Sequence, residues 1–139
     1  MKTFISRLTL GIAGALAIGI GGAITLVPDA FFASYGIVLP ESIDLYSEIR
    51  APGANLAVLG ALIFVGAFKP DWRRFSAALG ATLFLAYAAG RLVSIAMDGT
   101  PSSAILLALV IELAVGASCA LALRQARDQA VHTKHPQLA

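Results

Sequence analysis

Seven polar or ionisable side chains lie inside otherwise apolar stretches of the chain, where they could bind a ligand or transfer a proton. They are Glu48, Arg50, Asn55, Tyr87, Arg91, Ser94 and Glu112. A charged group inside a bilayer is energetically costly, so it is usually paired with a second charge or serves a function. Arginines in such a place are suited to binding an anion, and a glutamate is suited to carrying a proton.

The spacing of these residues predicts which of them meet. Tyr87, Arg91 and Ser94 follow one another at intervals of four and three residues, which places them on one face of a helix. With a helical rise of about 1.5 Å per residue, Arg91 lies roughly 10 Å and Glu112 roughly 15 Å below the same membrane surface. We therefore expect Arg91 and Glu112 to form an ion pair.

Three further members of the set lie on an earlier helix. Their depths below the same surface are about 6, 9 and 16 Å for Glu48, Arg50 and Asn55. We expect all seven side chains to form one polar cluster, in which Arg50 pairs with Glu48 or extends to the membrane surface. The cluster is either a buried salt network that fixes helix register, or a pocket for an anionic headgroup, a carboxylate or a proton.

Composition identifies the elements that must hold this cluster. Of the 139 residues, 58% are hydrophobic and 13% are charged, which is about half the charged fraction of a typical soluble domain. Four apolar segments reach the roughly 20 residues that a helix needs to cross a bilayer. They lie at 8–27, 44–68, 75–97 and 102–123. We predict one all-α transmembrane domain over residues 1–139, an integral membrane four-helix up-down bundle with a polar tail at 124–139.

The segment at 29–39, between the first and second spans, is too short to cross the membrane. Its aromatic residues Phe31, Phe32 and Tyr35 suit a membrane interface. We expect this segment to lie along the outer surface of the membrane. The alternative is a lid over a pocket that opens outward.

The distribution of basic residues predicts how the bundle is inserted. Eight of the ten Lys and Arg residues precede the first span, lie in the hairpin at 69–74 or follow the fourth span. The positive-inside rule places both termini and this hairpin in the cytoplasm, as expected for a multi-pass membrane protein. The basic start and the triplet at 15–17 also resemble a cleaved secretory signal, but the apolar run continues to Val27, which favours a retained helix.

Small residues on the first span indicate close helix packing. Gly11, Ala15, Gly19 and Ala23 recur every four residues along one face. Because lipid tails are as apolar as leucine, helices in a bilayer associate through such faces. The favoured interpretation is packing against the second or fourth span. The alternative is contact with a membrane-protein partner or with a second copy of the chain.

Several classes of site are not predicted. The net charge of +2 comes without a basic stripe, so the expected partner is the lipid bilayer and not nucleic acid. Cys119 is the single cysteine, so it has no partner for an internal disulfide, and we assign it to packing. His132 and His135 lie in the polar tail and are not expected to bind a metal. No catalytic motif occurs, so we predict no catalytic residue, metal or cofactor.

An ordered set of short motifs resembles a known family. The motifs are GIVLP at 36–40, SEIRAPG at 47–53, GRLVS at 90–94, Asp98-Gly99 and Glu112-Leu113. Together they resemble the small four-helix bacterial membrane proteins known as domain of unknown function 4345, over roughly residues 8–123. The resemblance implies a four-span architecture and supplies no activity.

These observations favour a non-enzymatic inner-membrane protein. It would bind a small anionic or lipidic ligand through the polar cluster, or act as an accessory subunit of a larger complex. One alternative is a membrane-embedded enzyme that acts on a lipid or quinone with Glu112 as acid or base. Another is a transporter, which would need to be an oligomer because four spans are few for one protomer.

Overall fold

The chain folds into four long helices and one short helix, as a computed structural model shows for residues 2–134 and for the side chains of residues 3–127. These elements are α1 (Lys2–Leu26), α2 (Pro28–Ala33), α3 (Ile43–Phe68), α4 (Arg73–Asp98) and α5 (Ser103–Lys134). A 3₁₀ turn (Pro70–Trp72) joins α3 to α4. All four long helices are long and apolar enough to span a membrane, and no strand occurs within residues 2–134.

The helix boundaries follow from residues that stop or cap a helix. Pro28 occupies the first turn of α2, two residues after the last residue of α1. The Ser42 hydroxyl accepts a hydrogen bond of 3.3 Å from the Leu45 amide at the start of α3. Gly36 and Gly99 have φ of +76° and +99°, a region that favours glycine, and they follow α2 and α4.

The four long helices extend beyond the predicted spans, most of all at the start of α1 and at the end of α5. α1 begins at Lys2, and α5 continues to Lys134 through most of the segment expected to be a polar tail. Residues 124–134 contain neither glycine nor proline and are rich in alanine, glutamine and arginine, which favour helix. The span predictions therefore identified the apolar part of each helix and not its full length. His135 and the side chain of His132 lie outside the described residues.

The long helices form the predicted up-down bundle. α1 packs most extensively on α3, and α4 packs on α5. Smaller contacts between α3 and α4 and between α1 and α5 close the ring. α2 and the connection at 99–102 lie at one end of the bundle, which we call the α2 end, and the 3₁₀ turn lies at the other.

Buried residues along α1 and α3 recur with intervals of three and four, the heptad spacing of helices packed as in a coiled coil. On α1 they include Leu10, Gly14, Ala17 and Gly21. On α3 they include Gly53, Leu56, Gly60, Ile63 and Ala67. These two rows form the contact that joins the helices.

The two backbones touch at glycines within these rows. A Cβ atom at Gly14 would lie 2.6 Å from the Phe64 amide nitrogen, and one at Gly60 would lie 2.7 Å from the Ile18 amide nitrogen. Separations this short are available only to glycine, because any side chain would push the helices apart. The α1–α3 contact is therefore a backbone contact.

Of the face that the sequence analysis favoured, Gly11 lies against Ala67 of α3, but Ala15 and Gly19 take no part in this contact. Ala15 and Gly19 are exposed, and a Cβ at Gly19 would have no neighbour within 4 Å. A row with a strict spacing of four residues drifts around a helix of 3.6 residues per turn, whereas a heptad row stays on one partner. The expectation that Gly11, Ala15, Gly19 and Ala23 pack as one face within the chain was therefore wrong.

We predict that Gly60→Leu destabilises the bundle, whereas Gly19→Leu does not. Leucine at position 60 must displace the α1 backbone, and overpacking of this kind costs about 1–3 kcal/mol. Position 19 has open space around it and serves as the matched control. The measurement is thermal unfolding of both purified variants in the same detergent. Equal loss of stability in the two variants would contradict a glycine-mediated α1–α3 contact.

Candidate functional site

An ion pair joins α4 to α5 towards the α2 end of the bundle. The Arg91 Nε–H is shared between the two carboxylate oxygens of Glu112, at 2.9 Å to Oε1 and 2.8 Å to Oε2. The two side chains are 28% and 12% exposed. The expected pairing of Arg91 with Glu112 is thus present.

Both residues occupy positions that continue the buried row of their helix. Arg91 follows the buried Phe84 by seven residues, and Glu112 precedes the buried Cys119 by seven residues. Seven residues are close to two helical turns, so each charged side chain points towards the facing helix. The pair therefore replaces an apolar contact between α4 and α5 with a charged one.

The arrangement of this pair leaves donors unused. Within residues 3–127, neither Nη atom of Arg91 donates a hydrogen bond, and neither is fully buried. Arginine has five N–H donors and no acceptor. Arg91 can therefore bind a further acceptor while it remains paired with Glu112.

A pocket of about 470 Å³ lies beside this pair, between α1, α4 and α5 and beneath α2. The polar side chains that the long helices contribute to it are Tyr87, Arg91 and Glu112, and we call this part of the pocket its polar end. Its walls are apolar side chains of the long helices, and they include Leu16, Ala17, Ile20, Ile24, Leu56, Leu83, Phe84, Ile105, Leu107, Ala108 and Ile111. The site thus combines a polar end with a long apolar interior, which is typical of pockets for small lipophilic molecules.

A more open hollow adjoins the pocket on the other side of the polar end. Its lining includes Gly90, Ser94 and Pro101, and it shares Tyr87 and Arg91 with the pocket. The Ser94 hydroxyl donates a hydrogen bond of 3.0 Å to the Asp98 carboxylate. Tyr87 and Arg91 therefore stand between the two spaces, accessible from both.

The aromatic segment after α1 forms the roof of the pocket. Phe31, Phe32 and Tyr35 line the pocket, and the Phe31 ring lies 5.4 Å from that of Phe32 and 5.3 Å from that of Tyr35. This arrangement is the one expected from the alternative in which residues 29–39 cover a pocket. Aromatic side chains of α2 and of the residues that follow it therefore cover the pocket at this end of the bundle.

A group of polar contacts holds the roof on α3. The Tyr46 hydroxyl donates a hydrogen bond to the Asp29 carboxylate, which fixes the start of α2. Arg50 donates to the Thr25 carbonyl at the end of α1, and its guanidinium lies 5.7 Å from the centre of the Tyr46 ring. Arg50 therefore supports the junction between α1 and α2.

The structure separates the seven candidate residues into two groups. Tyr87, Arg91 and Glu112 line the pocket, and Ser94 lies in the adjoining hollow. Glu48, Arg50 and Asn55 are exposed and line neither space. The buried row of α3 contains glycines and aliphatic residues, so these three polar side chains lie off it. The expectation of one cluster does not match this geometry, because equal depth does not place residues on facing sides of two helices.

We predict that Arg91→Ala destabilises the protein strongly, whereas the double variant Arg91→Met/Glu112→Leu does not. Arg91→Ala leaves the Glu112 carboxylate buried without its partner, which costs about 3 kcal/mol. Replacing both charges with apolar side chains of similar volume leaves stability within about 1 kcal/mol of the natural chain. The measurement is a double-mutant cycle of Arg91→Met, Glu112→Leu and the double variant, by denaturant unfolding in detergent. Additive losses from the two single variants would show that the pair does not act as a unit.

Comparison with known proteins identifies the family of this chain. Residues 5–123 match the model of the family described as domain of unknown function 4345. No curated protein and no solved structure matches the chain. The matched range contains the ion pair, every residue named above as lining the pocket, and the polar contacts that hold its roof. Because the match covers most of the sequence, this chain belongs to the family of domain of unknown function 4345.

Proposed function

We propose that this protein is a non-enzymatic membrane protein that binds one small lipidic molecule in the pocket beneath α2. The observation that carries this proposal is a largely apolar space of about 470 Å³ that is bordered by a charged pair. An amphipathic molecule matches such a space, because its apolar body contacts the walls and its polar end meets Tyr87 and Arg91.

The membrane setting determines what selects the ligand. A lipidic molecule gains little from moving its apolar body out of lipid, because lipid tails are as apolar as the leucine and isoleucine walls. Its polar end, in contrast, finds few hydrogen-bond donors in the bilayer interior. The Arg91 Nη groups and the Tyr87 hydroxyl supply such donors. We therefore expect the polar end to determine affinity.

We also propose that the protein lies in the bacterial inner membrane with both termini in the cytoplasm. Basic residues support this orientation. Arg7, Lys69, Arg73 and Arg74 lie near the end opposite α2, as do the basic residues that follow residue 123. The positive-inside rule assigns that end to the cytoplasm, so the pocket lies in the outer half of the membrane.

A second candidate function is that of an accessory subunit. The observation that favours it is the exposed small-residue surface at Ala15 and Gly19, which has open space beside it. A helix of another membrane protein could approach α1 closely at this surface. This candidate does not require the pocket to be filled.

The proposed function predicts that a small molecule leaves the membrane together with the protein. Native mass spectrometry of the chain in lipid particles should show one bound molecule, and Ala108→Phe should remove it. Ala108 lines the pocket, so the larger ring occupies ligand space. Ala117→Phe is the matched control, because Ala117 is exposed on the same helix and does not line the pocket.

The same measurement separates the candidate functions. A bare natural chain that carries only bulk lipid would refute the ligand-binding function. A partner protein in fixed ratio, with an empty pocket, would support the accessory-subunit function. Retention of the small molecule by Ala108→Phe would show that it binds elsewhere.

A further inference from the structure

The charges around the pocket restrict the chemical class of its ligand. On the basis of the proposed function, we infer that the polar end of the ligand is an uncharged hydrogen-bond acceptor, a carbonyl group attached to an apolar body. The Nη groups of Arg91 and the hydroxyl of Tyr87 would donate to this carbonyl. Quinones and esters share this chemistry.

The first step is the charge of the site. Arg91 and Glu112 are the charged residues that line the pocket, as far as residues 3–127 are concerned, and they neutralise each other. An acid would add a negative charge with no remaining counter-charge. Such a charge is costly in a medium of low dielectric constant, because Arg91 already neutralises Glu112. A cationic ligand would likewise add a positive charge beside Arg91, with no remaining negative charge in the pocket to neutralise it.

The second step is the balance of donors and acceptors. The Arg91 Nη groups and the Tyr87 hydroxyl donate no hydrogen bond to any of residues 3–127. Both Glu112 oxygens already accept from Arg91. The polar end therefore offers unused donors, and a carbonyl oxygen complements such donors without adding charge.

The test uses three probes that share one alkyl chain: methyl palmitate, ionised palmitate and hexadecyltrimethylammonium. A short-tailed quinone is added as a fourth probe, to distinguish a ring carbonyl from an ester carbonyl. The protein is held in phosphatidylcholine particles, and binding is read by native mass spectrometry. We expect the natural chain to bind the ester or the quinone at least about tenfold more tightly than palmitate or the ammonium compound.

Two substitutions test the physical cause of the expected preference for a carbonyl group. Glu112→Gln removes the negative charge and leaves Arg91 unneutralised, so the preference should invert towards palmitate by about tenfold or more. Tyr87→Phe removes one donor without changing charge, and it should weaken carbonyl binding by about threefold to tenfold. Tyr87→Phe keeps the ion pair, so it tests the inference even if Glu112→Gln fails to fold.

The outcomes distinguish the inference from the proposed function. If the natural chain binds palmitate more tightly than the ester and the quinone, the carbonyl inference is overturned and the binding function stands. If the natural chain and Ala108→Phe bind all probes equally, the probes partition into bulk lipid and the binding function itself is overturned.

Discussion

The backbone contact between α1 and α3 is the interaction on which the rest of the structure depends. In a bilayer, no difference in hydrophobicity draws one apolar helix to another, so association relies on close packing. Gly14, Gly21 and Gly60 allow the two backbones to touch, and any larger side chain at these positions would separate them. This tight pair provides a firm surface against which α4 and α5 are placed.

The pocket is a consequence of how unevenly the helices pack. α1 contacts α3 along most of its length but contacts α5 much less, so space remains between α1 and the α4–α5 pair. At the α2 end, Arg91 and Glu112 occupy positions in the buried rows of α4 and α5. A guanidinium–carboxylate pair satisfies itself only in one register, so it fixes the two helices relative to each other and presents the remaining donors to the pocket.

The amino-acid sequence predicted the parts of this structure that stand out against an apolar background. The four spans, the Arg91–Glu112 pair and the separate character of residues 29–39 all follow from charge, length and aromatic content. The sequence did not show which surfaces of the helices face one another. Several rows of small residues run along α1, and only heptad spacing distinguishes the row that contains Gly14 and Gly21. Nothing in the sequence identified Leu16 and Ile20 as pocket residues, because an aliphatic residue that lines a pocket is of the same type as one that faces lipid. Depth alone likewise could not show that Arg50 supports the α1–α2 junction.

The side of the pocket formed by α5 has a consequence for how a ligand would reach it. Leu107 and Ile111 line the pocket and are also exposed on the flank of the bundle, whereas aromatic side chains cover the α2 end. A ligand bound as proposed would therefore enter by lateral diffusion within the bilayer. Occupancy would follow the mole fraction of the ligand among the surrounding lipids, and not its concentration in water. A site with modest intrinsic affinity could then stay filled by a molecule that is almost insoluble in water.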